Sequence, residues 1–211
     1  AFGISLPAAL PVGERDVLLP VVPQFHVLAW GLPYAVPMNG GRLVMPGPRL
    51  DGASLTELMV EEGVTIAAGV PTVWHGLLLH WRQAGTRVGS LKRLVVGGSA
   101  APPAMIRAFE TEYDIRFIHA WGMTETSPVC TTSSVKSGLA DDDPEARIRL
   151  KAKQGRPVFG VELSIVDEAG RPLPWDGKAF GELRVRGPWV CSGYFKLDRS
   201  PQHGADGWFS T

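Results

Sequence analysis

The sequence predicts an α/β fold in which a parallel sheet with flanking helices is followed by a small antiparallel β subdomain. Short apolar runs alternate with helical patterns over the first two thirds of the chain, which is typical of parallel β–α units. After Gly155 the pattern changes to period-two strands joined by a segment rich in Gly, Pro and Asp, which is typical of antiparallel pairs. We therefore expect residues 1–154 to form an α/β subdomain and residues 155–211 a β-rich subdomain.

Five apolar runs predict the strands of the first part, namely residues 16–22, 42–45, 65–68, 91–96 and 115–121. Pro20 lies inside the first run and should weaken that strand or bend its end. Alternating residues 161–167 and 180–186 predict the two strands of the β-rich part.

Helices are expected between these strands. Ser54 is a candidate N-cap with Glu57 at the capping-box position, and Pro71 is placed to open the next helix. Residues 27–30 are expected to be helical, so His26 and Trp30, four residues apart, would share one face. On an apolar face such residues are more often core than ligand.

The most informative segment is residues 115–128, which read IRFIHAWGMTETSP. A buried strand that ends at a glycine and is followed by polar side chains is typical of ligand sites in open α/β sheets. Trp121 offers a flat face to a base, Thr124 a hydroxyl to a phosphate, and Glu125 an oxygen to Mg²⁺. The spacing alone is equally consistent with a polar helix N-cap formed by Thr124 or Thr126.

Composition excludes several classes of function. The 211 residues contain 21 Lys+Arg and 21 Asp+Glu, so the chain lacks the basic footprint of a nucleic-acid partner. No apolar run has the length of a transmembrane helix, and no signal peptide is visible. Cys130 and Cys191 fit no metal or redox spacing and are interpreted as reduced thiols of a cytoplasmic protein.

The segment WGMTETSP resembles the signature of the adenylate-forming superfamily, which includes acyl-CoA synthetases, amino-acid adenylation domains and luciferases. Further similar motifs follow the family's order over nearly the whole chain: PQFH at 23–26, GGSAAP at 97–102, GRP at 155–157, GELRVRGP at 181–188 and GYF at 193–195. The likeness is strongest to long- and medium-chain fatty acyl-CoA synthetases. It implies that residues 1–154 are an adenylate-binding subdomain.

The resemblance implies that a fatty acid is activated with ATP to an acyl-adenylate and then transferred to coenzyme A. It implies catalytic roles for Thr124, Glu125 and His26, with Glu125 also as the Mg²⁺ ligand. The implied nucleotide-binding residues are Gly98, Ser99, Ala100, Ala101, Pro102, His119, Ala120, Trp121, Gly122, Met123 and Thr124. The implied acyl-binding residues are His26, Trp30, Gly69 and Val70.

Two alternatives remain open. Another carboxylate-activating ligase, acting on an aryl or amino acid, is one, although amino-acid adenylation domains usually carry Asp where His26 stands. A non-catalytic nucleotide-binding module is the other. The family usually has Tyr at the position of Trp121, so the resemblance does not carry over a role that needs the tyrosine hydroxyl.

We expect the chain to be an internal piece of a longer protein, because it lacks an initiator methionine and stops within the family pattern at DGWFST. In the family a phosphate loop precedes this region, and a ribose-binding aspartate and a domain with a catalytic lysine follow it. The isolated chain is therefore expected to be inactive. Peripheral membrane contact and a homodimer of the full-length protein stay open.

Overall fold

The computed structural model describes residues 4, 9–139, 143–198 and 200–211. Its larger sheet contains β1 (Val17–Val21), β2 (Arg42–Leu43), β3 (Ile66–Gly69), β4 (Arg93–Val96), β5 (Arg116–Gly122), β6 (Val129–Thr132) and β7 (Arg156–Pro157). Its smaller sheet contains β8 (Glu162–Val166), β9 (Glu182–Arg186) and β10 (Phe209–Ser210).

The topology confirms the predicted fold class. The larger sheet has the order β2-β1-β3-β4-β5-β6-β7, in which β1 to β5 are parallel. The strands β6 and β7 then continue the sheet in antiparallel pairings. The smaller sheet is antiparallel, in the order β10-β9-β8. The boundary between residues 154 and 155 stays a prediction, and β7 just beyond it pairs with the larger sheet.

The described helices are α1 (Leu32–Met38), α2 (Gly52–Glu61), α3 (Pro71–Ala84), α4 (Pro103–Arg107) and α5 (Pro144–Lys151). A π-helical turn (Ala108–Glu112) extends α4, and a 3₁₀ turn (Thr124–Thr126) follows β5. Within the described part of the chain, no helix combines the length and the apolar character needed to cross a membrane.

Pro20 lies inside β1 without breaking it, because its ring points to the side of β1 on which no neighbouring strand lies opposite Pro20. The carbonyl of Leu18 faces β2, where it accepts from the amide of Val44. Since backbone groups alternate along a strand, Pro20 faces the same side, beyond the end of the two-residue strand β2. The missing amide hydrogen therefore costs no sheet hydrogen bond.

The expected cap of α2 was wrong by three residues. Asp51 is the N-cap, and its carboxylate accepts from the amide of Ser54 at 3.0 Å and from the Ser54 hydroxyl at 2.8 Å. Aspartate and serine are both good caps, so sequence preference did not separate them. Asp51 is the cap because Gly52 and Ala53 are themselves helical, so that the helix begins most of a turn before Ser54.

Alternating strand residues bury two apolar layers, one on each face of the larger sheet. One layer packs β4 and β5 against α2, α3 and the π-helical turn, and its largest side chains are Trp74, Trp81, Phe109 and Phe117. The other layer contains Val95 and Ile118 from the larger sheet together with Val185 and Phe209 from the smaller sheet. The two sheets therefore share a core.

A buried ion pair fixes the start of β5. The ammonium of Lys151, 2% exposed, contacts Glu110 and donates to the carbonyl of Phe117 at 3.0 Å. The amide of Phe117 donates to the same Glu110 carboxylate at 3.0 Å. Burial lowers the pKa of Lys151, and the hydrogen bond and charge of Glu110 oppose that change.

We predict that Lys151→Met lowers the free energy of unfolding by about 3 kcal/mol, because it leaves a buried carboxylate and a strand carbonyl without their donor. The matched control is Lys153→Met, which removes an exposed ammonium from the same region and should change stability by less than about 0.5 kcal/mol. Urea denaturation of both variants makes the comparison. Equal effects of the two substitutions would show that the pair does not anchor β5.

Candidate active site

The site lies where β4 and β5 end side by side. These parallel strands pair with Val96 opposite His119, so the glycines after β4 lie next to the last residues of β5. The two strand ends border an open cavity of about 290 Å³. That volume is near the lower end of the ~300–1,000 Å³ found for small-molecule sites.

Most of the site residues predicted within the segment 115–128 border this cavity, and so do the predicted residues His26 and Trp30. The predicted residues that line it are His26, Trp30, Gly98, Ala120, Trp121, Gly122, Met123, Thr124 and Glu125. The lining also contains Gly97 and Pro128, which belong to the GGSAAP and WGMTETSP motifs without having been listed as site residues, and four residues that the sequence analysis missed, namely Ile4, Val27, Val95 and Val129. The predicted residues that do not border it are Gly69, Val70, Ser99, Ala100, Ala101, Pro102 and His119.

Some of the residues outside the cavity contact its wall, and among them the carbonyl of Gly69 accepts from the amide of Gly97 at 3.4 Å. His119 is buried, and its Nε2 lies 3.4 Å from the carbonyl oxygen of Ser99, which connects β5 to the turn after β4. Val70 packs beside Gly98, where an added Cβ would approach the valine side chain to 3.1 Å. Their observed positions therefore support the wall of the site without reaching into it.

Gly122 turns the chain from β5 into the site. The register between β5 and β6 shifts at Trp121 and Gly122, and a Cβ at Gly122 would collide with the carbonyl oxygen of Pro128. Glycine is therefore required where the strand leaves the sheet. The 3₁₀ turn that carries Thr124 and Glu125 begins two residues later.

The threonines of this turn divide into one structural and one cavity-lining residue. Thr126 is fully buried, and its hydroxyl bonds the amide of Met123 at 3.0 Å and contacts the carbonyl of Pro128. The N-cap of the turn is Met123 and Thr126 is its third residue, so neither threonine is the N-cap that the sequence analysis allowed as an alternative. Thr124 is exposed to the cavity, and its hydroxyl makes no hydrogen bond to any other described residue.

Glu125 is held from a distant part of the chain. The hydroxyl of Tyr194 donates to its Oε1 at 2.9 Å, and the amide of Cys191 donates to its backbone carbonyl at 2.7 Å. The pKa of Tyr194 is raised, mainly by its hydrogen bond to the Glu125 carboxylate and further by desolvation and by the negative charge of Glu125. Tyr194 was not predicted as a site residue, although the motif GYF contains it.

The predicted helix at residues 27–30 was wrong. The segment Val27–Trp30 is a left-handed turn in which four successive residues have φ between 45° and 57°. A left-handed conformation costs about 1–2 kcal/mol per non-glycine residue, and burial of Ala29 and Trp30 offsets it. His26 and Trp30 therefore do not share a face of a right-handed helix, although both border the cavity.

Trp30 occupies space that Gly97 leaves free. An added Cβ at Gly97 would lie 3.3 Å from the Trp30 ring and 3.2 Å from the carbonyl oxygen of Ala120. Trp30 is only 7% exposed, so the ring is largely packed while one part of it borders the cavity. Any ligand that needs this space must displace the ring.

Neither cysteine offers a thiolate to the site. Burial raises the pKa of Cys130 to about 11, and burial also raises the pKa of Cys191. Both thiols are therefore protonated near neutral pH. Cys130 and Cys191 therefore do not supply a nucleophile at neutral pH.

Comparisons with known proteins agree with this geometry. Residues 1–195 match the family model of AMP-binding enzymes. A medium-chain-fatty-acid–CoA ligase of Ectopseudomonas oleovorans is 50% identical over 207 residues, which are 98% of this chain and 38% of the relative. A long-chain-fatty-acid–CoA ligase of Thermus thermophilus is 48% identical over 209 residues, with coverages of 98% and 38%.

Solved structures show the same fold. A long-chain-fatty-acid–CoA ligase of Archaeoglobus fulgidus matches all of this chain and 42% of its own, with a TM-score of 0.79 at 24% identity. The chain thus spans less than half the length of the proteins that it matches. Since the family model covers most of the chain, the chain belongs to the family of AMP-binding enzymes.

Proposed function

We propose that the protein containing this chain activates a medium- or long-chain fatty acid with ATP and transfers the acyl group to coenzyme A. One observation carries the proposal: a single cavity is bordered both by residues expected to bind nucleotide and by residues expected to bind the acyl group. The two reactants of an adenylation must meet in one place, and this cavity would bring them together.

The proposed reaction has two steps. A carboxylate oxygen of the fatty acid attacks the α-phosphorus of ATP, and pyrophosphate leaves. The thiol of coenzyme A, losing its proton, then attacks the acyl carbonyl carbon, and AMP leaves. In the first step the protein holds the two anions in line and offsets their charge. His26 is proposed to lie beside the carboxylate, and the unpartnered hydroxyl of Thr124 to donate to a phosphate oxygen.

Glu125 is the proposed ligand of Mg²⁺. The described residues contain no group of three or more His, Cys, Asp or Glu side chains that could hold a metal alone. Magnesium bound with a nucleotide usually takes one or two carboxylates and completes its shell with phosphates and water. The donor set therefore fits Mg²⁺ that enters with ATP, where it would neutralise phosphate charge.

The adenine base is proposed to lie between Trp121 and the turn that begins at Gly98. Gly98 has φ of 81° and no side chain, so backbone can approach a flat ring closely. Tryptophan stacks on a base as well as tyrosine does, and it lacks the hydroxyl that the family usually has there. The base site therefore relies on stacking and shape at this position.

A fatty acid fits the acyl side better than an amino acid. Among the described residues, Glu125 is the only acidic side chain that borders the cavity, and it is assigned to the metal. A substrate ammonium would thus lack a carboxylate partner of its own. The acyl side is instead bordered by Trp30, Val27 and Ile4, which are apolar.

We predict that Glu125→Gln in the full-length protein slows acyl-adenylate formation by about 10²-fold or more. The substitution keeps the shape and removes the charge that would bind Mg²⁺. Thioester formation from pre-made acyl-adenylate should be affected far less, because that step transfers no phosphoryl group. Pyrophosphate release and thioester production are measured separately, and equal losses in both would show that Glu125 acts structurally.

We also predict that Trp30→Ala changes the preference for acyl chain length. The truncated ring would lengthen the acyl side of the cavity, and each methylene accommodated in an apolar pocket is worth about 1 kcal/mol. The measurement is kcat/KM over a series from short to long acids, together with the melting temperature.

The matched control is Trp74→Ala, which truncates a fully buried tryptophan of the opposite apolar layer. That variant should lose about 3–5 kcal/mol of stability and keep the chain-length profile. If Trp30→Ala behaves in the same way, Trp30 is a core residue and its assignment to the acyl site is wrong.

A further inference from the structure

Tyr194 connects the smaller sheet to the candidate metal ligand. The segment from Cys191 to Tyr194 follows β9 and makes two hydrogen bonds to Glu125. The Tyr194 hydroxyl donates to the Glu125 carboxylate, and the Cys191 amide donates to the Glu125 backbone carbonyl. The two partners are 69 residues apart in the sequence. A long-range pair of bonds to one residue of the 3₁₀ turn therefore fixes both the position of its backbone and the direction of its carboxylate.

The tyrosine ring is itself supported by packing. It lies edge-on against His203 with centroids 5.5 Å apart, and His203 lies edge-on against Phe209 at 4.9 Å. Nε2 of His203 is 3.0 Å from the carbonyl oxygen of Cys191. Phe209 belongs to β10 and is 2% exposed. The position of the hydroxyl is thus set by the smaller sheet and not by local flexibility.

The hydrogen bond from Tyr194 occupies one oxygen of the Glu125 carboxylate and leaves the other oxygen without a partner among the described residues. Oε1 of Glu125 accepts from Tyr194, whereas Oε2 has no hydrogen-bond partner among the described residues. We propose that Tyr194 is a positioning residue that holds Oε1 so that Oε2 is directed to the divalent cation of the bound nucleotide. This inference rests on the proposed function, because it assumes that Glu125 is the metal ligand.

The physical reason is pre-organisation. A glutamate side chain has three rotatable bonds, and fixing one oxygen removes most of that freedom before the cation arrives. Residues that hydrogen-bond to a metal ligand without contacting the metal typically raise metal affinity 10–100-fold. Tyr194 would thereby make metal binding depend on correct docking of the smaller sheet.

The experiment measures Mn²⁺ binding by electron paramagnetic resonance in the full-length protein with a non-hydrolysable ATP analogue. Tyr194→Phe keeps the ring against His203 and removes only the hydroxyl. We expect Mn²⁺ to bind 10–100-fold more weakly, while the analogue binds unchanged in the presence of a chelator. Adenylation kinetics should show a higher KM for Mg²⁺ with a smaller change in kcat at saturating metal.

The matched control is Tyr34→Phe, because Tyr34 is 53% exposed on α1 and does not border the cavity. It should bind Mn²⁺ like the wild type. Wild-type affinity in Tyr194→Phe would overturn the inference and leave the proposed function intact. Failure of the wild type to bind the nucleotide analogue would instead overturn the proposed function.

Discussion

The parallel pairing of β4 with β5 is the constraint on which the site depends. Its register places Gly97 beside Ala120, where an added Cβ would lie 3.2 Å from the Ala120 carbonyl oxygen, which is a tight contact. At the other end of β5, Phe117 is bonded through its amide to Glu110 and through its carbonyl to Lys151. The strand is therefore held at its start by a buried ion pair and at its end by close backbone packing, which fixes where the residues proposed to bind the adenylate project.

The sequence predicted the fold, and it predicted which residues follow the strand ends at the candidate site, because both depend on local patterns. Apolar runs with a strand period, separated by helical periods, require a parallel layer, and parallel strands bring their carboxyl ends to one edge. Trp121, Thr124 and Glu125 follow directly from that rule. The sequence did not separate Thr124 from Thr126, because the distinction depends on which hydroxyl the backbone of the turn bonds.

The features that were missed depend on competition or on long-range contacts. Residues 27–30 look helical, and burial of Trp30 against Gly97 imposes a left-handed turn that local propensity opposes. Asp51 prevailed over Ser54 as a cap although both residue types favour that position. Tyr194 and Glu125 are 69 residues apart, so their hydrogen bond is visible only when the chain is folded. The motif GYF contains Tyr194, but the sequence analysis assigned no role to that residue.

We propose that one cavity at the ends of β4 and β5 binds the acyl-adenylate. The decisive experiment is a crystal structure of the full-length protein with a non-hydrolysable analogue of a fatty acyl-adenylate. We expect the purine against Trp121 and the turn at Gly98, the phosphate mimic beside Thr124, and the acyl chain extending past His26 toward Trp30. A purine bound away from Trp121, or an acyl chain that leaves the cavity on a side without Trp30, would show that the proposed site is wrong.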